Sequence, residues 1–298
     1  MERNLLKVNG EQSLGGLFYS VTILLLLVAN IVISFVIMAT GVGTDLNGKL
    51  WYTVLSFSLS GVVIIVSTLI FSKANDTKFI KLCGFKKTDV KYYFLAISAF
   101  VSIFFGLSSV NAKFIEFLQN FGYEYQEVVL PEFSPLSFIL VVFSACLLPA
   151  VTEEIALRNI VLNGVKTGSA FLNAVIGGLM FSIYHMNPAQ TPYQFIVGFV
   201  FSLIAIKSRS VIPTVIAHFL NNFAIIVINY FLPIFSIAGG STFYFIVIPS
   251  LISLTAIIAV LLLDGADYKE KGGVKKFFTY ASFGVVVCLL IWIANLLV

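Results

Sequence analysis

Charge is what this sequence has least of. Lys, Arg, Asp and Glu together make up 11% of its 298 residues, against 59% hydrophobic residues; a soluble domain carries about 25% charged residues. With a mean hydropathy of +1.02, so small a charged fraction excludes a water-soluble globular chain and leaves a polytopic membrane protein. Cysteine is scarce as well: Cys83, Cys146 and Cys288 are odd in number and scattered, giving neither a disulfide framework nor a metal-binding spacing, so they read as three free thiols. No segment recurs with a period of about 20–50 residues and no inverted halves match, which argues against a transporter built from repeats. Gly-x-Ser-x-Gly, His-Glu-x-x-His, a phosphate-cradling glycine loop and nucleic-acid signatures are all missing. Linkers and low-complexity stretches are missing too, so the chain reads as one integral membrane domain over 1–298.

What is present is apolar and regularly spaced. Nine apolar runs lie at about 17–40, 50–72, 92–110, 136–163, 169–187, 192–207, 211–232, 242–263 and 277–297. Most reach the roughly 20 residues that cross about 30 Å of hydrocarbon; the fifth and sixth are short and the fourth is long. The first run continues from Leu17 to about Met38, beyond the length of a signal-peptide core, and is expected to be retained as a span. The fold class is therefore all-α, a transmembrane bundle of about eight or nine spans. A net charge of +4 and a pI near 8.8 do not point to nucleic acid, because the cations sit in short connections. With the N-terminus placed in the cytoplasm, sixteen of the eighteen Lys and Arg fall inside and only Lys49 and Lys113 outside. That asymmetry predicts an N-in, C-out protein, with the cell membrane as the expected location. The stretch from Asn111 to Pro135 reads as an ordered outer loop, with a short interfacial helix over 114–121 as the alternative.

Within the apolar runs a few polar residues stand out. Glu153 and Glu154 are the only two of fourteen acids inside an apolar span, and a carboxylate at that depth costs at least about 2–3 kcal/mol unless it is paired, hydrated or used. On a helix Glu154 and Arg158 share a face at i,i+4 while Glu153 turns about 100° away, so the arginine can neutralise Glu154 and leave Glu153 free. Pro149, four residues before Glu153, removes a hydrogen bond from the ladder at Ala145. The only two histidines, His185 and His218, lie in other apolar runs. Each has a neighbour one turn away, Phe181 before the first and Asn222 after the second. A carboxylate, two imidazoles and a carboxamide suffice for water-activated amide hydrolysis. Two histidines and a carboxylate also match an open three-ligand zinc site. Cys146 is two turns from Glu153, too far for a nucleophile–base pair. Gly177, Gly178 and Gly198 allow close helix approach beside His185.

Taken in order on successive helices, Glu153-Glu154-x-x-x-Arg158, Phe181-x-x-x-His185 and His218-x-x-x-Asn222 resemble the CPBP family of intramembrane proteases. That family includes the CAAX prenyl endopeptidases of the Rce1 type and bacterial Abi or bacteriocin-immunity proteins. The resemblance covers roughly residues 145–225, inside a catalytic core of about 136–232. It implies an endopeptidase acting on a membrane-anchored, possibly lipidated or CAAX-like protein or peptide at the lipid bilayer, with no nucleic-acid partner. It further implies Glu153 as general base on a water, His185 orienting that water, His218 and Asn222 as oxyanion donors, and Glu154 with Arg158 as a brace. The cofactor is either none or one divalent metal, zinc, held by Glu153, His185 and His218. Asn222 beside His218 favours the metal-free version, being a poor zinc ligand and a good amide donor. Many members end the first motif in Phe-Arg-Gly, where this chain has Leu157-Arg158-Asn159, a departure expected to bear on packing. The alternative functions are a proton-coupled transporter and a non-catalytic immunity or regulatory protein.

Straight helices leave one conflict. Glu153 falls about 15 Å from the inner end of its span, His218 about 10 Å and His185 about 24 Å. The three meet only through tilt, a buried start to the fifth run, or a longer turn around Lys166.

Overall fold

The computed structural model describes residues 6–41, 46–231, 243–265 and 272–297. Its helices are α1 (Glu11–Thr40), α2 (Leu50–Ala74), the five-residue α3 (Phe79–Cys83), α4 (Val90–Gln119), α5 (Pro135–Gly164), α6 (Ala170–Tyr184), α7 (Thr191–Ser208), α8 (Ile212–Phe231), α9 (Ile248–Leu263) and α10 (Val274–Leu296). Eight helices are long and apolar enough to cross a membrane, α7 counted from Pro188 and α9 from Phe245. Among the described residues the exceptions are the short α3 and α6, whose 15 residues give about 22 Å, short of the hydrocarbon thickness. Outward-facing Ile31, Phe35, Met38, Phe94 and Leu290 are exposed, as a lipid-facing surface requires. Inside lie fully buried aromatics, among them Phe18, Tyr19, Phe71, Phe181, Phe201 and Phe277.

Polar contacts gather many helix ends on one face. Lys7 pairs with Asp76 at 3.2 Å, joining the chain before α1 to the end of α2. Lys166 pairs with Glu11 at 2.5 Å, joining the end of α5 to the start of α1. Lys91 pairs with Asp264 at 2.9 Å, joining the start of α4 to the end of α9, and Lys207 at the end of α7 donates to the Asp264 carbonyl. Gly272 N donates to Lys166 O at 3.0 Å, bringing in the start of α10. Chain direction therefore alternates through all nine apolar runs, although α6 lacks the length of a full crossing. Arg3, Lys269 and Lys271 lie outside the described residues.

Two expectations shift. The third run does not stop near residue 110: α4 continues to Gln119, so the first part of the expected outer loop is helix. The fifth run forms the 15-residue α6 rather than a full span, and its start is pinned by Asn173. Asn173 is fully buried there, and its Oδ1 accepts hydrogen bonds from Thr167 N at 3.0 Å and Thr167 Oγ1 at 2.8 Å. These bonds tie the start of the helix to the turn after Lys166, while Phe171 and Leu172 beside it are exposed. Its crossing with α7 is backbone-close: a Cβ built on Gly198 lies 2.8 Å from Gly178 Cα and 2.9 Å from Phe181 Cβ. Only glycine fits at that distance, which is why α6 packs tightly enough to present the His185 turn. The three cysteines are free and buried.

Candidate active site

The acids are carried by α5, whose start is fixed by a reciprocal cap. Ser134 accepts from Ser137 N at 3.0 Å, Ser137 Oγ accepts from Ser134 N at 2.7 Å, and Pro135 occupies the first turn. The helix then widens twice into π-turns, Val142–Leu147 and Glu154–Val161, on either side of the α-helical Leu148–Glu153. Such widenings frequently occur at functional sites, and here one begins at Glu154. Pro149 has no amide hydrogen, so the Ala145 carbonyl loses its usual i+4 donor. Asn222 supplies a replacement: its Nδ2 donates to Ala145 O at 3.1 Å. The proline that opens α5 is thus the feature that docks α8 against it.

The residues singled out in the sequence meet across α5, α6 and α8. Glu153 is 6% exposed, Glu154 0%, Arg158 3% and His218 5%, while His185 and Asn222 are half-buried. His218 sits between the two acids. Its Nδ1 is 3.0 Å from Glu154 Oε1 and its Nε2 is 4.0 Å from Glu153 Oε2. An ionised carboxylate only accepts, so Nδ1 carries the proton given to Glu154, and that bond fixes the ring orientation. In the neutral imidazole, Nε2 then presents a lone pair towards Glu153. His185 is held the same way: its Nδ1 donates to the Phe181 carbonyl at 2.8 Å, leaving its Nε2 open.

Arg158 lies on the far side of Glu154, with Nε 3.4 Å from Glu154 Oε2. Its guanidinium carbon stands 4.0 Å from the Phe181 ring centroid and 5.9 Å from that of Phe201. Its Nε, Nη1 and Nη2 have no hydrogen-bond partner among the described residues, so its charge is met by Glu154 and two aromatic faces. Phe181 is the hub of this arrangement. Its ring packs edge-on against His185 at 4.6 Å and His218 at 6.0 Å between centroids.

Several contributors were not legible beforehand. Asn221, 7% exposed, accepts from Tyr193 OH at 2.6 Å and donates to Asn222 Oδ1 at 3.3 Å, which fixes the Asn222 amide. Asn221 immediately precedes Asn222 in sequence, and only the direction α8 presents to α7 separates their roles. Trp292 Nε1 donates to Thr191 Oγ1 at 2.8 Å, and Asn295 Nδ2 donates to Met186 O at 2.9 Å. These bonds fasten the turn after His185 to α10, a helix that carries no motif. Met186 itself adopts a positive φ of 49°, which reverses the chain immediately after the histidine. Among the described residues no group of three His, Cys, Asp or Glu side chains converges to hold a metal ion. The conditional set Glu153, His185 and His218 therefore does not form a ready ligand cage.

Residues 135–224 match the family model Rce1-like, described as type II CAAX prenyl endopeptidase Rce1-like. The similarity to that family lies in this segment. It covers just under a third of the chain and contains Glu153, Glu154, Arg158, His185, His218 and Asn222 together with the α6–α7 hairpin. Helices α1 to α4, α9 and α10 lie outside the Rce1-like segment, although α10 fastens its His185 turn. No curated protein and no solved structure matches the chain significantly.

Proposed function

We propose that the chain is an intramembrane endopeptidase that hydrolyses a peptide bond of a membrane-anchored, CAAX-like protein or peptide, using a water activated at Glu153. The observation that carries this reading is the shared imidazole: one buried ring is bonded to Glu154 through Nδ1 and faces Glu153 through Nε2 at 4.0 Å. That separation is too long for a direct hydrogen bond and fits one bridging water that donates to both acceptors. Glu153 takes a proton from this water as its oxygen forms a bond to the scissile carbonyl carbon. Asn222 Nδ2 spends one hydrogen on Ala145 O; the second is free to meet the developing oxyanion. Glu153 then passes its proton to the amide nitrogen as the C–N bond breaks, which restores the carboxylate. Glu154, braced by Arg158, holds the His218 ring. In this reading His218 positions the water, and the donor role implied by the resemblance passes chiefly to Asn222. His185, beside Phe181, flanks the same site and presents its own Nε2.

The proposed reaction uses no metal, so activity of purified enzyme is expected to survive exhaustive chelation. Loss of turnover in chelator, restored by zinc, would move His185 and His218 into a ligand role. The test of the function itself is the cleavage of a lipid-tethered CAAX-like reporter peptide in proteoliposomes, read by mass spectrometry. Site-specific cleavage without ion or solute flux is expected. Proton-coupled flux with every tethered peptide left intact would assign the same residues to transport.

A further inference from the structure

The connection between α2 and α4 carries a surface that the proposed reaction does not use. In and around α3, Lys78, Lys81, Lys86 and Lys87 are exposed, and exposed apolar side chains interleave with them: Phe79 at 37%, Ile80 at 64% and Phe85 at 41%. The ion pairs at the borders of this segment use Lys7 with Asp76 and Lys91 with Asp264, and the four central lysines form no ion pair among the described residues. Asp89, exposed at the start of α4, is the one further acid in the segment. Aromatic and aliphatic side chains alternating with lysines at the end of membrane helices suit the headgroup region, where rings enter the acyl boundary and ammonium groups meet phosphate.

The surface is fastened on both sides. Leu82 and Cys83 are buried, and Asn159 Nδ2 donates to Leu82 O at 2.8 Å. Gly84 turns the chain with φ 71°, and a Cβ there would lie 2.6 Å from Asn159 Cγ, so this position requires glycine. Beyond it, Val211 N donates to Gly84 O at 3.3 Å, Ser210 Oγ to Lys86 O at 2.6 Å and Thr88 Oγ1 to Ser208 O at 2.8 Å. These bonds bring exposed Arg209, itself in a left-handed conformation with φ 55°, to the same edge. Asn159 lies on the π-turn that begins at Glu154, and Ser210 stands two residues before the helix that carries His218.

We propose that Lys78, Lys81, Lys86, Lys87 and Arg209, with Phe79, Ile80 and Phe85 between them, bind the phosphate headgroups of anionic phospholipids, and that Asn159 and Ser210 join this lipid site to the two helices bearing Glu154 and His218. The inference does not depend on the peptidase reading. Anionic lipid is the occupant because the cations are interleaved with membrane-seeking side chains on a chain already embedded in the bilayer; an acidic soluble segment would leave Ile80 and Phe85 in water.

The test uses the full chain in nanodiscs, with a fluorophore on Ile80→Cys and brominated lipids as quenchers. Brominated phosphatidylglycerol is expected to quench several-fold more strongly than brominated phosphatidylcholine, and the preference is expected to shrink as salt rises. Each lysine at the surface contributes about fivefold in association, so the Lys78→Gln, Lys81→Gln, Lys86→Gln, Lys87→Gln variant is expected to quench equally with both lipids while keeping its melting temperature. Equal quenching of the original chain by both lipids, a preference that survives the fourfold variant, or displacement of phosphatidylglycerol by an acidic peptide would each overturn the proposal. Because the readout involves no substrate, failure of the peptidase reading leaves it unchanged.

Discussion

Asn222 illustrates how one side chain serves two ends. Its carboxamide replaces the donor that Pro149 denies to Ala145 O, and in the proposed reaction its other hydrogen meets the oxyanion. Asn222→Ala is therefore expected to lower stability by about 1–3 kcal/mol, the cost of leaving a buried carbonyl unpaired, and to lower kcat by about 100-fold or more. Thermal denaturation and single-turnover cleavage measure the two effects separately; a variant with a normal melting point and normal kcat would contradict both. Arg158 makes a different prediction. Its charge and that of Glu154 are fully buried, so Arg158→Met strands a carboxylate and is expected to destabilise the protein by about 3–5 kcal/mol. The double change Arg158→Met with Glu154→Gln should recover much of that loss, as measured by unfolding in detergent. If it does not, the pair is not the electrostatic unit described above.

At the scale of elements, the α6–α7 crossing decides whether His185 reaches the site. Gly198 rests against Gly178 and Phe181, and Phe181 in turn contacts both histidines and Arg158. Gly198→Leu is expected to force these helices apart, at about 1–3 kcal/mol for overpacking, with a loss of turnover larger than the loss of stability. Preserved turnover would show that the crossing does not set the histidine position. The close approach was legible in the sequence, because glycines in adjoining apolar runs have few other reasons to cluster. So were the pairing of Glu154 with Arg158 and the break at Pro149, which follow from helical period and proline chemistry. The depth of His185 was not. It depends on the close α6–α7 crossing and on the clasp from α10, neither of which hydropathy reports. The Tyr193–Asn221–Asn222 chain and the clasp from Trp292 and Asn295 were also hidden, since they join residues distant in sequence and lie outside any periodic pattern.

At the scale of the whole molecule, charge asymmetry and topology agree. The pairs Lys7–Asp76, Lys91–Asp264 and Lys166–Glu11 lie on one face, whereas Lys113 pairs with Glu116 near the other end of α4. The lysine-rich face is expected to be cytoplasmic. In a cysteine-free background, Lys86→Cys and Lys113→Cys should label with an impermeant maleimide from opposite sides of the membrane, Lys113→Cys from outside intact cells. Labelling of both from the same side would contradict the alternation of helix direction through the bundle.

These scales converge on Glu153, a buried acid next to an imidazole that another acid holds in place. The most direct measurement is kcat for cleavage of a membrane-tethered peptide by Glu153→Gln, a change that preserves shape and removes the basic oxygen, taken together with its melting temperature. A fall in kcat of at least about 1000-fold at an unchanged melting temperature is expected for loss of a general base. Turnover equal to that of the unaltered enzyme would contradict the assignment of Glu153 as the base that activates water.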